Sequence, residues 1–225
     1  MRIGLRAGHS RNCLGAIGLR NEWESMKTLY PYVAKILREY GHTVVDCNSD
    51  ASNQSAELAE GANKANNAGV DLFISLHMNC YNGTAHGVEA WTWGAASRAN
   101  TIAQRLCNNY AKLGFYNRGL KYNNRYYEMK HIDAPNIIFE TCFCDSAKDI
   151  DIWAKTSWDS LARAIANAID PNIPIREAVK APAETGASSG RYQIRVYSFE
   201  SKELAERCSK IITQQHGWHN VVEKM

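Results

Sequence analysis

No run of about 18 apolar residues occurs anywhere in the 225-residue chain, so no segment reads as a membrane-spanning helix. The first ten residues, MRIGLRAGHS, lack the roughly 7–15-residue apolar stretch of a secretory signal peptide, and synthesis and folding in the cytosol are expected. Charge of one sign is nearly absent in net terms. Against 26 Lys and Arg stand 23 Asp and Glu, leaving +3, too little for a nucleic-acid footprint. There is no CxxC pair among Cys13, Cys47, Cys80, Cys107, Cys142, Cys144 and Cys208. An odd number without that spacing reads as free thiols in a reducing compartment, not as a disulfide framework. HExxH, GxSxG and a Gly-rich phosphate loop are all missing. Neither Ser10 nor any cysteine has an evident partner that would make it a nucleophile.

What remains is a chain of alternating strands and helices. Residues 2–6 (RIGLR) form a strand candidate running into Ala7-Gly8-His9. Residues 22–40 carry an apolar helical stripe at Met26, Leu29, Tyr30, Val33, Ile36, Leu37 and Tyr40, with Gly41 as the stop. Pro31 lies inside it and costs about 3 kcal/mol in a helix interior. Either the helix kinks there or it begins near Thr28. Further strands are expected at 43–47, 70–76, 87–93 and 136–139, and helices at 54–68, 96–113 and 145–169. The run VDLFISL at 70–76 is almost continuously apolar, as befits a strand buried on both faces. Cys142 and Cys144 alternate on one strand end and should share a face as small buried residues.

The pattern predicts an α/β fold: a mainly parallel twisted sheet flanked by helices, over residues 1–171. Residues 172–190 hold Pro174, Pro182 and many Ala, Gly and Ser residues, and read as a linker. Residues 191–225 read as a small C-terminal β-α-β module. At about 35 residues it falls below the usual size of an independently stable core. It should therefore pair with a second copy, giving a homo-oligomer, or pack on the main domain, or be part of a larger unit.

In parallel sheets, functional groups gather at the carboxyl ends of strands. His9, His77 and Glu140 each follow a predicted strand, and Glu22 or Glu24 would stand at the start of the first long helix. Spacing alone does not choose between those two glutamates. Two imidazoles and one carboxylate suit Zn²⁺ and leave a fourth coordination position open. Glu140, directly after the apolar run NIIF, is costly to bury unless paired or functional. Beside a metal it would be a general base. Asn79 offers a polar contact next to His77. Arg118 and Lys121, in NRGLK, could bind a carboxylate or phosphate, or belong to a solvated loop. Tyr122, Tyr126 and Tyr127 could line a groove or pack on the surface.

Taken in order, these motifs resemble the zinc-dependent N-acetylmuramoyl-L-alanine amidases of bacterial cell-wall turnover and phage lysis. They are Gly8-His9, Glu22, Ser75-Leu76-His77-Met78-Asn79, Gly87-Val88-Glu89, Arg118-Gly119-Leu120-Lys121 and Glu140-Thr141-Cys142-Phe143, and the likeness covers roughly residues 1–170. It implies His9, Glu22 and His77 as zinc ligands, Glu140 as the catalytic carboxylate, and peptidoglycan as partner and substrate. Counting back from Gly41, the family spacing favours Glu22 over Glu24. Many members carry Asp-Pro before the GH, where this chain has Arg6-Ala7. That leaves the usual partner of His9 open.

GHTVVD at 41–46, CFC at 142–144 and the missing signal peptide are most similar to endolysins of phages infecting clostridia. Such a protein waits in the host cytoplasm until a holin opens the membrane, then reaches the cell wall. Residues 191–225 resemble part of a SPOR-like or other small wall-binding unit. The reaction implied is hydrolysis of the amide between N-acetylmuramic acid and L-alanine. The competing expectations are a zinc peptidase acting on the stem peptide, and a non-catalytic cell-wall-binding protein.

Overall fold

The computed structural model describes residues 1–175. The linker at 172–190 thus lies largely, and the module at 191–225 wholly, outside the described residues. Six strands form one sheet: β1 (Arg2–Arg6), β2 (Thr43–Asp46), β3 (Leu72–Asn79), β4 (Val88–Thr92), β5 (Asn117–Tyr122) and β6 (Asn136–Phe143). Their order is β2-β1-β3-β6-β4-β5. All neighbours run parallel except β4 and β6, which are antiparallel. Among the described residues there are also six helices: α1 (Glu22–Glu39), α2 (Gln54–Ala68), α3 (Asn100–Lys112), α4 (Tyr127–His131), α5 (Ala147–Lys155) and α6 (Trp158–Ile169).

Alternation along the strands divides the sheet into two faces. Ile3, Leu5, Leu72, Ile74, Leu76, Ile137 and Phe139 join α1, α3 and α6 in the larger core. Phe73 points the other way and joins Cys47, Ala62, Ala65 and Ile132 in a smaller cluster under α2 and α4. Ser75 and His77 share the parity of Phe73, so this smaller side carries the chemistry at the strands' carboxyl ends.

Helix α1 resolves the question raised by Pro31. It starts at Glu22, capped by Asn21, whose side chain accepts from the Glu24 amide at 3.1 Å. Pro31 sits on its exposed face, where the carbonyl left without an amide partner can be hydrated.

The sequence expectation fails at four places. The long closing helix at 145–169 is two helices. Thr156 is extended and Ser157 caps α6 by accepting from the Ser160 amide at 3.1 Å. The Arg118–Lys121 turn belongs to β5, an edge strand whose sequence NRGLKY has too little apolar alternation to announce itself. The short helix α4 begins at Tyr127, the last of the three tyrosines. Finally, His77 and Glu140 do not end their strands but lie inside β3 and β6, paired in register.

Candidate metal centre

That register is the basis of the site. His77 pairs with Glu140 across β3 and β6, and Glu140 pairs with Glu89 across β6 and β4. Three side chains thus stand in a row on one face of the sheet. His9 reaches the same place from the loop after β1, and Glu22 from the first turn of α1. Glu24 is exposed, so only Glu22 of the two candidates faces the site.

Glu22 is the hub. Its Oε1 lies 3.0 Å from His77 Nδ1 and 3.4 Å from His9 Nε2, and accepts from the Met78 amide at 3.0 Å. Its Oε2 accepts from the Ala16 amide at 2.7 Å. The two imidazoles meet edge to face with centroids 4.9 Å apart. Donor atoms of His9, Glu22 and His77 all lie within 4.8 Å of one another, a span one metal ion can bridge. Two neutral imidazoles and a carboxylate are the donor set of a borderline divalent ion. His77 Nε2 is 2.9 Å from Ser75 Oγ, an outer contact that leaves Nδ1 for a metal.

Two glycines let the backbone approach this closely. Gly8 has φ +75°, and a Cβ there would strike the Leu76 carbonyl and the His77 ring. Gly15 has φ +70°, and a Cβ there would run into Glu22 Oε2 and the His9 ring.

Charge follows geometry. Burial pushes the Glu22 carboxyl up, but hydrogen bonds and charge from His77 and His9 outweigh it and hold Glu22 well below the usual carboxylate range. For His77, burial works downward, yet its hydrogen bond to Glu22 and the charges of Glu22 and Glu140 raise it to about 9. Without a cation, the centre is an imidazolium–carboxylate pair. Glu140 is pushed up to about 7, chiefly by burial, with His77 pulling down and Glu22 and Glu89 pushing up. Its Oε2 is buried with no hydrogen-bond partner among the described residues.

Asn79, Arg118 and Lys121 converge on Glu89. Asn79 Nδ2 donates to Glu89 Oε1 at 3.0 Å, while Arg118 Nε and Lys121 Nζ reach Oε2 at 2.6 and 2.5 Å. Burial raises the Glu89 carboxyl, but hydrogen bonds and charge from Lys121 and Arg118 hold it below its ordinary value. Glu89 was given no role by sequence reasoning. Its signals were its place in the Gly87-Val88-Glu89 motif and a carboxylate within the apolar strand VEAWT. Arg6, which stands where the family pattern has Asp, is fully buried and bridges Glu57 at 2.9 Å and Glu128 at 3.1 Å. Nothing in the helical pattern of residues 54–68 singled out Glu57. The tyrosines take different places: Tyr126 packs edge-on against Trp91, Tyr127 stacks on His131, and Tyr122 is exposed.

Residues 3–171 match the family described as N-acetylmuramoyl-L-alanine amidase. An uncharacterized 38.4 kDa protein of Clostridium perfringens is 33% identical over 177 residues, 77% of this chain and 52% of that protein. The sporulation-specific N-acetylmuramoyl-L-alanine amidase of Bacillus subtilis is 28% identical over 161 residues, 70% of this chain and 59% of its own length. The chain thus spans between half and three-fifths of the length of these relatives. Among solved structures, the catalytic domain of the CD27L endolysin targeting Clostridia difficile superposes with a TM-score of 0.69 at 29% identity, covering 75% of this chain and 96% of that one.

Proposed function

Since the chain belongs to the N-acetylmuramoyl-L-alanine amidase family, we propose that it is a zinc-dependent peptidoglycan hydrolase cutting the amide between N-acetylmuramic acid and L-alanine. The observation that carries this is the meeting of His9, Glu22 and His77 within 4.8 Å, beside a buried carboxylate with an unpartnered oxygen. When bound, a divalent cation supplies polarisation of the scissile carbonyl and acidification of water. His9, His77 and Glu22 would hold it. Glu140, one register position from His77, takes a proton from the attacking water and returns it to the leaving amine of L-alanine. Glu89 is paired with Arg118 and Lys121, and its charge still helps to hold the Glu140 carboxyl up. Asn79, Arg118 and Lys121 also border the site, and contacts to the stem peptide are assigned to this group.

Digestion of purified sacculi followed by mass analysis of the fragments tests the reading. Glycan stripped of peptide, with peptides starting at L-alanine, is expected, and chelation should stop the release. Cleavage inside the stem peptide would make the chain a peptidase. Wall sedimentation without any release would make it a binding protein.

The likeness to the CD27L endolysin domain supports a lytic role, in which the protein waits in the host cytoplasm for holin-mediated release and then attacks the wall. Purified protein added from outside should clear a suspension of clostridial walls, and unchanged turbidity would refute this. We further assign residues 172–190 as linker and 191–225 as a small wall-binding or assembly module. Light scattering of the full chain should show mass rising with concentration if the module assembles, and a constant monomer mass would remove that role.

A further inference from the structure

His9 has a second ring nitrogen, and that atom is the odd one in the site. Nδ1 is buried and has no hydrogen-bond partner among the described residues. The nearest acidic atom is Glu57 Oε1, 3.9 Å away. Glu57 is itself 1% exposed, and its Oε2 likewise lacks a partner. Arg6 Nη2 fixes the carboxylate by donating to Oε1 at 2.9 Å, while Arg6 Nη1 is held by Glu128. A potential donor and an acceptor with spare lone pairs, both buried, therefore lie near each other at 3.9 Å, just outside hydrogen-bond range.

We propose that Glu57, clamped by Arg6, is a positioning residue that accepts the Nδ1 proton of His9 and so presents His9 Nε2 to the metal. This rests on the metal reading given above. An imidazole that ligates through one nitrogen must be neutral, so its other nitrogen carries the proton. A buried carboxylate facing that proton fixes the tautomer, stops ring rotation and makes the ligating nitrogen more basic. Arg6 holds Glu57 Oε1, the carboxylate oxygen nearest the ring, at 2.9 Å, with the Cys13 thiol as a further neighbour of the carboxylate. The arrangement parallels His77, whose outer nitrogen meets Ser75 Oγ at 2.9 Å.

The test is zinc affinity of the full chain, by competition with a chromogenic chelator, in wild type, Glu57→Gln and Glu128→Gln. Each substitution removes one carboxylate from Arg6, but only Glu57→Gln removes the one facing His9. Loss of about 10–100-fold in zinc affinity is expected for Glu57→Gln, with Glu128→Gln within about twofold of wild type. Equal losses in both variants, or none in Glu57→Gln, overturn the assignment. Ring ¹⁵N NMR of the zinc-loaded wild type decides the matter even if Glu57→Gln does not fold. A protonated Nδ1 of His9, shielded from solvent exchange, supports the contact, and an unprotonated or freely exchanging Nδ1 refutes it. If the wild type binds no zinc, or binds it equally well after His77→Ala, the metal reading itself fails. Normal zinc binding that ignores Glu57 removes only this proposal.

Discussion

Single side chains in this site are defined by what faces them. Glu140 sits between an imidazole and a paired carboxylate, with one oxygen buried. Glu140→Gln preserves volume and removes the carboxylate proposed as the base, so on that proposal hydrolysis of wall fragments should fall by about 10²–10⁴-fold while zinc content stays at wild-type level. Retained hydrolysis would take the proton-transfer role from Glu140. His77 gives a second prediction at this scale. Raised to about 9, it is protonated at neutral pH in the metal-free protein, and a metal can bind only after that proton leaves. Zinc binding at pH 7 should therefore release about one proton from His77 and a fraction of another from Glu140, which stands at about 7. Calorimetry in buffers of different ionisation enthalpy measures this, and a buffer-independent heat would refute it.

His9, His77 and Glu140 were legible in the sequence because short apolar runs lead into each of them. Glu89 entered only as part of the Gly87-Val88-Glu89 motif, without a role, and Glu57 not at all, since the importance of each comes from partners on other segments. Glu89 matters because β4 pairs with β6, and Glu57 because Arg6 crosses from β1 to α2.

Among the elements, β1, β2, β3, β4, β6, α1, α2 and α3 could all be read from apolar patterning and stop signals. Boundaries set by caps and edges were harder. Periodicity ran unbroken through residues 145–169, and the break between α5 and α6 lies at extended Thr156 and the Ser157 cap. If that cap makes the break, Ser157→Ala should cost about 1 kcal/mol. For a protein of this size that is about 2–4 °C in melting temperature, measurable by circular dichroism. An unchanged melting curve would mean that packing of Trp153 against Trp158 holds the corner without the cap. The edge strand β5 escaped notice for a different reason. It contributes Arg118 and Lys121 to Glu89 and buries little, so its identity comes from pairing with β4 and not from its own composition.

At the scale of the whole molecule, the metal would join three parts of the chain: the loop after β1, the start of α1 and the carboxyl end of β3. Zinc that binds the folded chain and not the unfolded one stabilises it by mass action, about 2.7 kcal/mol when free zinc is 100 times its dissociation constant. Chelation should therefore lower the melting temperature by about 5–10 °C. The metal-free chain keeps part of the connection through the ion pair of His77 and Glu22, 3.0 Å apart. Because the folded state raises His77 from 6.5 to about 9, that pair's stabilisation is complete below about pH 6.5 and disappears as pH rises through 9. Over the same range zinc binds more tightly, since fewer protons compete for the ligand. The difference in melting temperature between zinc-loaded and chelated protein should therefore widen steadily from pH 6.5 to 9. A difference that stayed constant, or narrowed, across that interval would mean that His77 neither pairs with Glu22 in the metal-free protein nor gives up a proton to the metal.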